Sequence, residues 1–355
     1  MIARSGIVPA ALASALLLTA CNGVQSGAPA VASPSAVAPE TGAANLNAQQ
    51  TANRARLLAF FERRRHQLAR RSQGVLPDSG PAKKQVNLLY VTDGGNYDVL
   101  MLAYPTLKQL GKITGTVDVQ GVCSDPKGNV WTVPSVFPEL SEYAHGVSKV
   151  KATLSDAGAQ YPLTCAVDPS TGNLAMTNLG APSGGGNVYI WTKATGTANI
   201  ITDSAMSYVY FCAYDPSGNL WVDGLDSKYN FVFAELAAGS QTLKTVPLTG
   251  IVFPGGIEWD GTQLAVGDQS YQSKQTSAID QVSTGSTPSI TGTTPLNGTC
   301  DVTQFSILNG KVFAPDVCTN TGSMYAYPAG GNAQRTLKNL QYPLTTAINT
   351  LPSSK

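Results

Sequence analysis

Residues 215–222 read DPSGNLWV, and this stretch decides the fold. A short apolar run, residues 209–214, precedes this stretch. A second apolar run begins at the end of the stretch, with Leu220-Trp221-Val222. Asp can hydrogen-bond the backbone two residues on, Pro presets φ at about −65°, and Gly tolerates positive φ. The stretch therefore predicts a tight turn between two antiparallel strands.

The same phrase recurs along the chain at a nearly constant spacing. Its turn anchors are Asp125, Asp168, Asp215, Asp260 and Asn309, spaced by 43, 47, 45 and 49 residues. This period is close to that of one four-stranded propeller blade, about 40–45 residues. The runs between the turns are short, β-branched and aromatic, which argues against a helical repeat. We therefore predict an all-β fold, a β-propeller with four-stranded blades.

The two ends of the repeat region complement each other. Residues 342–349 (YPLTTAIN) match residues 161–168 (YPLTCAVD) and read as a first strand that no second strand follows. Residues 87–91 (NLLYV) resemble residues 219–222 (NLWV) and read as a second strand without a first. One blade is therefore predicted to be split between the termini, which gives six blades over residues 83–355. Closing the ring in this way removes exposed sheet edges.

The N-terminus predicts export. Residues 1–20 read as a signal peptide, because Arg4 precedes an apolar stretch that is too short to span a membrane. The end of this segment, Leu18-Thr19-Ala20-Cys21, resembles the lipobox of bacterial lipoproteins. The resemblance implies cleavage before Cys21 and a diacylglycerol on its thiol, and Asn22 in place of Asp favours the outer membrane. The alternative is an ordinary signal peptide followed by a chance cysteine.

A tether and a helix are predicted between the anchor and the propeller. Residues 21–50 are rich in Ala, Pro, Ser, Gln and Gly and predict a disordered tether. Residues 51–72 (TANRARLLAFFERRRHQLARRS) predict a short basic helix with seven Arg around its apolar residues. Two interpretations stay open. The helix lies on anionic lipid beside the anchor, or it is solvated and its few apolar residues contact the propeller.

Charge and composition exclude several functional classes. The net charge of +1 divides into +5 for residues 1–80 and −4 for residues 81–355. The mildly acidic body argues against a nucleic-acid partner. Histidine occurs only at His66 and His145, and the chain has no nucleotide-binding glycine loop and no nucleophile elbow. No common catalytic motif is therefore present.

Five cysteines remain besides Cys21, and export permits disulfides between them. Cys300 and Cys318 flank one predicted hairpin and form the first expected pair. Cys123 with Cys165, on adjacent first strands, is the second, and Cys165 with Cys212 is its alternative. The CxxC spacing of a zinc site is absent, so a cysteine metal site is not expected.

Polar residues follow the second strand of several repeats. They are Asp93, Asn178, Asp268 and Asp316, in register, with Asp223 one position earlier. In a propeller these corners ring one mouth of the central channel, so they predict a ligand site, and the first four predict a Ca²⁺ site. Their alternative role is to form turns. Three tyrosines beside these corners can stack on a ligand or fill the mouth: Tyr208, Tyr210 and Tyr271.

The DPxGNLWV hairpins, the PGGI sequence at residues 254–257 and the split blade resemble the NHL-repeat and gluconolactonase-like six-bladed propeller superfamily. The resemblance covers about residues 85–355. The gluconolactonase-like family implies a Ca²⁺-dependent lactonase with Glu, Asn and Asp ligands around the channel. Asn178 and Asp268 occupy positions like those of its Asn and Asp ligands. Its Glu ligand has no counterpart, because Glu258 lies toward the other end of the ring.

The sequence thus predicts an exported monomer that is anchored by lipid at Cys21 to the bacterial outer membrane or cell surface. Its propeller is expected to be a non-catalytic module that binds a small molecule, a glycan or a protein at the mouth. The alternative function is a divalent-cation-dependent lactonase. A third interpretation is a structural envelope protein held through the basic helix.

Overall fold

Six four-stranded antiparallel sheets follow one another along the chain. A computed structural model describes residues 46–69, 86–116, 118–134, 139–155, 158–285 and 287–350. The predicted signal peptide and most of the predicted tether lie outside these residues. Among the helices described, none is long and apolar enough to cross a membrane.

Each sheet is one blade, and the blades are numbered I to VI along the chain. Blade I contains β24 (Pro343–Asn349), β1 (Leu88–Asp93), β2 (Asp98–Ala103) and β3 (Lys108–Thr114). Blade II contains β4 (Val119–Ser124), β5 (Val130–Pro134), β6 (Glu139–Tyr143) and β7 (Val150–Ser155). Blade III contains β8 (Pro162–Val167), β9 (Leu174–Asn178), β10 (Asn187–Trp191) and β11 (Asn199–Ile201).

The other three blades repeat the same order. Blade IV contains β12 (Tyr208–Tyr214), β13 (Leu220–Leu225), β14 (Phe231–Leu236) and β15 (Lys244–Val246). Blade V contains β16 (Pro254–Trp259), β17 (Leu264–Asp268), β18 (Ala278–Val282) and β19 (Ile290–Pro295). Blade VI contains β20 (Ser306–Leu308), β21 (Lys311–Asp316), β22 (Thr321–Ala326) and β23 (Gly330–Leu337). The predicted six-bladed propeller is confirmed.

The turn that defines the repeat is held by one carboxylate. Asp215 Oδ1 accepts the backbone N–H of Ser217 at 2.8 Å and that of Asn219 at 3.0 Å. Its Oδ2 accepts the Asn219 amide at 2.9 Å and the Trp221 indole N–H at 3.0 Å. Gly218 has φ of 81°, a conformation that glycine adopts without strain. One aspartate therefore fixes the turn and the first aromatic residue of the following strand.

The C-terminal strand closes the ring as predicted. In β24, Asn349, Ile348, Ala347 and Thr346 pair antiparallel with residues 88–91 of β1. Its side chains also reach both neighbouring blades. Thr345 Oγ1 donates to Gln120 O in blade II at 2.8 Å, and Thr346 Oγ1 donates to Ser306 Oγ in blade VI at 2.9 Å.

Two disulfides are present, and they join the cysteine pairs that were expected from the sequence. Cys123 and Cys165 link β4 to β8, the first strands of neighbouring blades, with a Cα–Cα distance of 5.6 Å. Cys300 and Cys318 close a segment of blade VI, with a Cα–Cα distance of 6.2 Å. Cys212 is a buried free thiol, and burial raises its pKa. It is therefore a packing residue rather than a reactive one.

The helix α1 (Ala48–Ala69) differs from the prediction in its bounds. It begins three residues earlier than predicted, and residues 70–72 of the predicted helix lie outside the described residues. Its start is fixed by a capping box, because Asn47 Oδ1 accepts the Gln50 N–H and Gln50 Oε1 accepts the Asn47 N–H, both at 2.9 Å. The predicted tether is shortened accordingly, because residues 48–50 are helical.

Removing β24 should abolish the closed ring. We expect a chain that ends at Gln341 to unfold at a markedly lower temperature, because it loses the buried side chain of Leu344 and exposes the edge of β1. Each large apolar side chain lost from the core contributes about 1.5–3 kcal/mol. The control is a chain that ends at Thr350, which keeps the whole strand. Equal melting temperatures of the two truncated chains, measured by circular dichroism, would contradict the closure.

Candidate functional site

The predicted corner residues all lie at one end of the ring, where the second strands of the blades finish. We call this the acidic end. Their side chains are almost fully buried, and each accepts backbone N–H groups from the segment that leads into or forms the inner strand of the same blade. The donors are Gln341 for Asp93, Gln160 and Tyr161 for Asn178, Phe211 for Asp223, Val252 and Phe253 for Asp268, and Cys300 and Asp301 for Asp316.

These hydrogen bonds explain why a polar residue recurs at this position. A buried backbone N–H needs an acceptor, and the corner oxygen supplies it where the sheet ladder does not. The burial also changes the acids themselves. It raises the pKa of Asp93 to about 6, against the opposing hydrogen bonds from Asn96 and Gln341, and it raises the pKa of Asp223 and Asp268.

The residues do not fit the Ca²⁺ site that the sequence suggested. Asp268 accepts N–H groups from Val252, Phe253 and Ser270, so both of its oxygens are engaged. Among the described His, Cys, Asp and Glu residues, only Cys300, Asp316 and Cys318 bring three ligand atoms within 4.8 Å of one another. Among the described residues, no three aspartates of the predicted set therefore bring their carboxylate oxygens close enough together to hold one ion.

The three predicted tyrosines occupy different environments. Tyr208 is buried, stacks on Tyr229 with ring centroids 6.0 Å apart, and donates its hydroxyl to Pro182 O at 2.7 Å. Tyr210 is buried and packs edge-on against Phe253 with centroids 5.5 Å apart. Tyr271 is half-buried at the start of a short 3₁₀ turn. Tyr208 and Tyr210 thus pack within the acidic end.

Helix α1 packs onto the acidic end. Leu57, Phe60 and Phe61 are buried in one cluster with residues of the inner strands, including Tyr210 and Leu344. Their spacing of three and four residues places them on one helix face. Asn53, on the same face, donates its amide to Tyr229 O at 2.9 Å and to Val252 O at 3.0 Å. These contacts agree with the second interpretation of the basic helix, in which its apolar residues contact the propeller.

Arginines of α1 meet aspartates of the propeller. Arg64 Nε lies 3.3 Å from Asp118 Oδ2, and both side chains are at most 2% exposed. The Arg64 guanidinium also lies 4.3 Å from the centre of the Tyr161 ring. Burial lowers the pKa of Arg64, and Asp118 opposes that shift. Breaking such a buried pair costs about 3–5 kcal/mol, because the remaining charge is left unpaired.

The contact between α1 and the propeller is incomplete on one side and leaves a cavity of about 320 Å³, which we call the α1 cleft. The helix contributes a flank of Ala55, Arg56, Ala59, Phe60 and Arg63. The remaining walls come from blades I and III to VI: Leu163, Tyr210, Phe211, Phe253, Gln269, Gln275, Cys300, Asp301, Thr303, Val317, Cys318, Tyr342, Leu344 and Thr345. Much of this lining is apolar, with a few polar groups.

Some polar groups of the residues that line the cleft have an ion-pair or hydrogen-bond partner, and others have none among the described residues. Arg63 Nη2 lies 3.5 Å from Asp301 Oδ2. Burial raises the pKa of Asp301, and the charges of Arg63 and Arg56 oppose that shift. The hydroxyl of Tyr210 is buried and has no hydrogen-bond partner among the described residues. Burial raises the pKa of Tyr210 well above its usual value, so the hydroxyl remains a neutral donor.

Among the residues that line this cleft, the sequence predicted Tyr210 as a ligand-binding residue and Cys300 and Cys318 as a disulfide pair. Arg56 and Arg63 were visible as part of the basic helix, and their seven-residue spacing, with Ala59 between them, indicates that they share one flank of the helix. No sequence pattern marked Asp301 or Gln269 as a site residue, because their role depends on where α1 packs on the propeller.

Comparisons with known proteins support the fold and leave the activity open. No protein-family model and no curated protein matches the sequence. A chain of a nidogen/laminin complex is similar with a TM-score of 0.61 and 14% identity, over 76% of this chain and 100% of that one. A protein of unknown function from Bacteroides caccae is similar with a TM-score of 0.57 and 13% identity, over 75% and 99%.

A streptogramin B lyase is similar with a TM-score of 0.53 and 12% identity, over 78% of this chain and 92% of that one. These structures comprise an enzyme, a member of a protein complex and a protein of unknown function. Similarity at this level of identity shows the fold alone, and one fold carries many activities. The comparisons thus agree with the propeller fold, and the chain is a six-bladed β-propeller with α1 across its acidic end.

The two buried tyrosine hydroxyls should differ in their contribution to stability. Tyr208→Phe should lower the free energy of unfolding by about 1 kcal/mol, because it removes the hydrogen bond to Pro182. Tyr210→Phe should not lower it, because the hydroxyl that it removes has no partner among the described residues. Chemical denaturation of both variants measures the difference. An equal loss in the two variants would show that Tyr210 has a partner.

Proposed function

We propose that this protein is an exported bacterial lipoprotein whose propeller is a non-catalytic module that binds a small molecule in the α1 cleft. The α1 cleft itself carries the proposal, because it is a cavity of about 320 Å³ with mostly apolar walls and a few charged groups, those of Arg56, Arg63 and Asp301.

The size and lining of the cleft support a small-molecule ligand. Its volume of about 320 Å³ falls at the lower end of the range for such sites, about 300–1,000 Å³. Phe211, Phe253 and Leu344 provide apolar contact area, whereas Arg56 and Arg63 provide donors that fix an orientation. An apolar cavity with a few convergent polar groups is the usual form of a binding site.

The roles of the titratable groups favour binding over catalysis. The corner aspartates of the acidic end accept backbone N–H groups, and Asp118 and Asp301 pair with arginines of α1. His145, the only histidine whose side chain is described, contacts the Asn349 side chain and Val86 O, the latter at 3.0 Å. Each of these groups therefore has a structural role, and a metal-dependent lactonase lacks a convergent ligand set among them.

The anchoring part of the proposal depends on the lipobox-like sequence that ends at Cys21. Two or more acyl chains hold a protein on a membrane firmly, because each buried CH₂ contributes about 0.8 kcal/mol. Helix α1 then adds exposed positive charge near the membrane rather than apolar area, since Leu57, Phe60 and Phe61 face the propeller. We place the monomer at the outer membrane or cell surface on these grounds.

Filling the cleft should abolish binding. Ala59 is exposed on the cleft flank of α1, so Ala59→Trp should occupy the cavity without disturbing the buried face of the helix. Ala52→Trp is the control, because Ala52 is also exposed on α1 but does not line the cleft. A general fragment library is screened by ligand-observed NMR, and we expect the hits to bind wild type and the control but not Ala59→Trp. Hits that bind all three proteins alike, or a screen without hits, would reject the proposed site.

Replacing the lipidated residue should release the protein. Cys21→Ala should leave the precursor uncleaved by the lipoprotein signal peptidase or move the protein into the soluble fraction. Cys212→Ala serves as a control, because that buried cysteine has no part in anchoring. Membrane fractionation and metabolic labelling with a palmitate analogue give the readout. A Cys21→Ala protein that is still cut to the same length and still sediments with membranes would contradict the anchor.

A further inference from the structure

We propose that the ligand of the α1 cleft is a small organic carboxylate, with an apolar body among the aromatic walls and its acid group on Arg56. This inference rests on the proposed function, because it assigns the class of ligand for the same site.

The charge of the cleft walls favours an anion. Two guanidinium groups, those of Arg56 and Arg63, line the cleft, and one carboxylate, that of Asp301, lines it with them. Asp301 pairs with Arg63 at 3.5 Å. Arg56 has no carboxylate within 4.0 Å among the described residues, so one positive charge of the lining is left without a paired anion.

The position of Arg56 leaves it available to a ligand. Its Nη1 donates to Gln269 O at 3.2 Å, and its guanidinium lies 5.7 Å from the centre of the Phe253 ring. These contacts hold the side chain against the wall and use one of its five N–H donors. The remaining donors form a planar fork that matches a carboxylate, which binds guanidinium in a bidentate manner.

Two carboxylates of the acidic end, those of Asp268 and Asp316, do not act as the anion beside Arg56. Asp268 acts electrostatically on Arg56, but its oxygens accept the N–H groups of Val252, Phe253 and Ser270. Asp268 and Asp316 are absent from the lining of the cleft. A ligand carboxylate beside Arg56 therefore has no protein carboxylate in direct competition.

The two guanidinium groups make the cleft rich in hydrogen-bond donors. A ligand that offers oxygen acceptors and no positive charge matches these donors, whereas an amine of the same shape is repelled by both guanidinium groups.

The walls define the body of the ligand. Phe60, Phe211, Phe253, Val317 and Leu344 present apolar surface around the cavity, and Ala55 and Ala59 on α1 leave the space open. Aromatic rings pack favourably against a flat or apolar body in offset or edge-on arrangements. Aryl and short alkyl acids have this combination of a compact apolar body and one carboxylate.

The test compares acids with their neutral amides. The probes are phenylacetate, 3-phenylpropionate, indole-3-acetate and hexanoate, each with its primary amide, titrated into the full chain and followed by ligand-observed NMR. We expect at least one acid to bind wild type about tenfold or more tightly than its amide, the size of effect typical of a hydrogen bond to a charged group. Arg56→Gln should remove that preference and leave the affinity for the amide unchanged.

Two controls separate the site from general electrostatics. Arg65→Gln also removes one positive charge from α1, but Arg65 pairs with Glu62 outside the cleft, so it should leave the preference intact. Tyr210→Phe should also leave the preference intact, because the Tyr210 hydroxyl is fully buried and does not reach the ligand. Melting temperatures of all variants confirm that each is folded.

The outcomes distinguish this inference from the proposed function. If acid and amide bind wild type equally and Ala59→Trp removes both, the cleft is a binding site and the carboxylate assignment is wrong. If no acid binds while other fragments of the general library do, the assignment is likewise wrong. If Arg56→Gln and Arg65→Gln reduce the affinity for the acid equally, the preference comes from net charge and the role of Arg56 is rejected. If Ala59→Trp binds every probe as wild type does, the proposed function itself fails.

Discussion

The structure depends on the pairing of β24 with β1, because this contact turns a row of blades into a ring. Residues 88–91 pair with Thr346–Asn349, which lie 255 to 261 residues further along the chain. The same strand contacts both neighbouring blades through Thr345 and Thr346. It also carries Leu344 to the α1 cleft. The ring and the candidate site are therefore closed by the same residues, and the unpaired edge that an open sheet would expose is removed.

The corner residues of the acidic end fix the loops that enter the inner strands. Asp268 and Asp316 each accept three backbone N–H groups, and the amide of Asn178 accepts two. An amide in place of a carboxylate at one corner shows that the position requires an acceptor and not a charge. The charge nevertheless accumulates, since four of the five corners are aspartates. The acidic residues at this end thus follow from the need for a hydrogen-bond acceptor at the same corner of several blades.

Helix α1 pairs its arginines with two further aspartates of this end and covers the apolar inner surface. Arg64 pairs with Asp118, Arg63 with Asp301, and Leu57 with its neighbours fills the centre. Most of the stability of a helix in a folded protein comes from packing of its apolar face, so the contact with the propeller stabilises α1. The basic helix and the acidic corners appear in the sequence as separate features, and the structure joins them in one contact. The α1 cleft exists only because this contact is incomplete on the side of Ala55 and Ala59.

The sequence by itself determined the six blades, the closure by residues 342–349 and the positions of the corner acids. These features follow from turn chemistry and strand alternation, which act over a few residues and repeat with a fixed period. The tertiary structure alone decided that Leu57, Phe60 and Phe61 face the propeller rather than lipid, and that Arg56, Tyr210 and Asp301 surround one cavity. Local patterns do not encode these contacts, because they join segments about 150–250 residues apart whose fit depends on side-chain shape and charge in three dimensions.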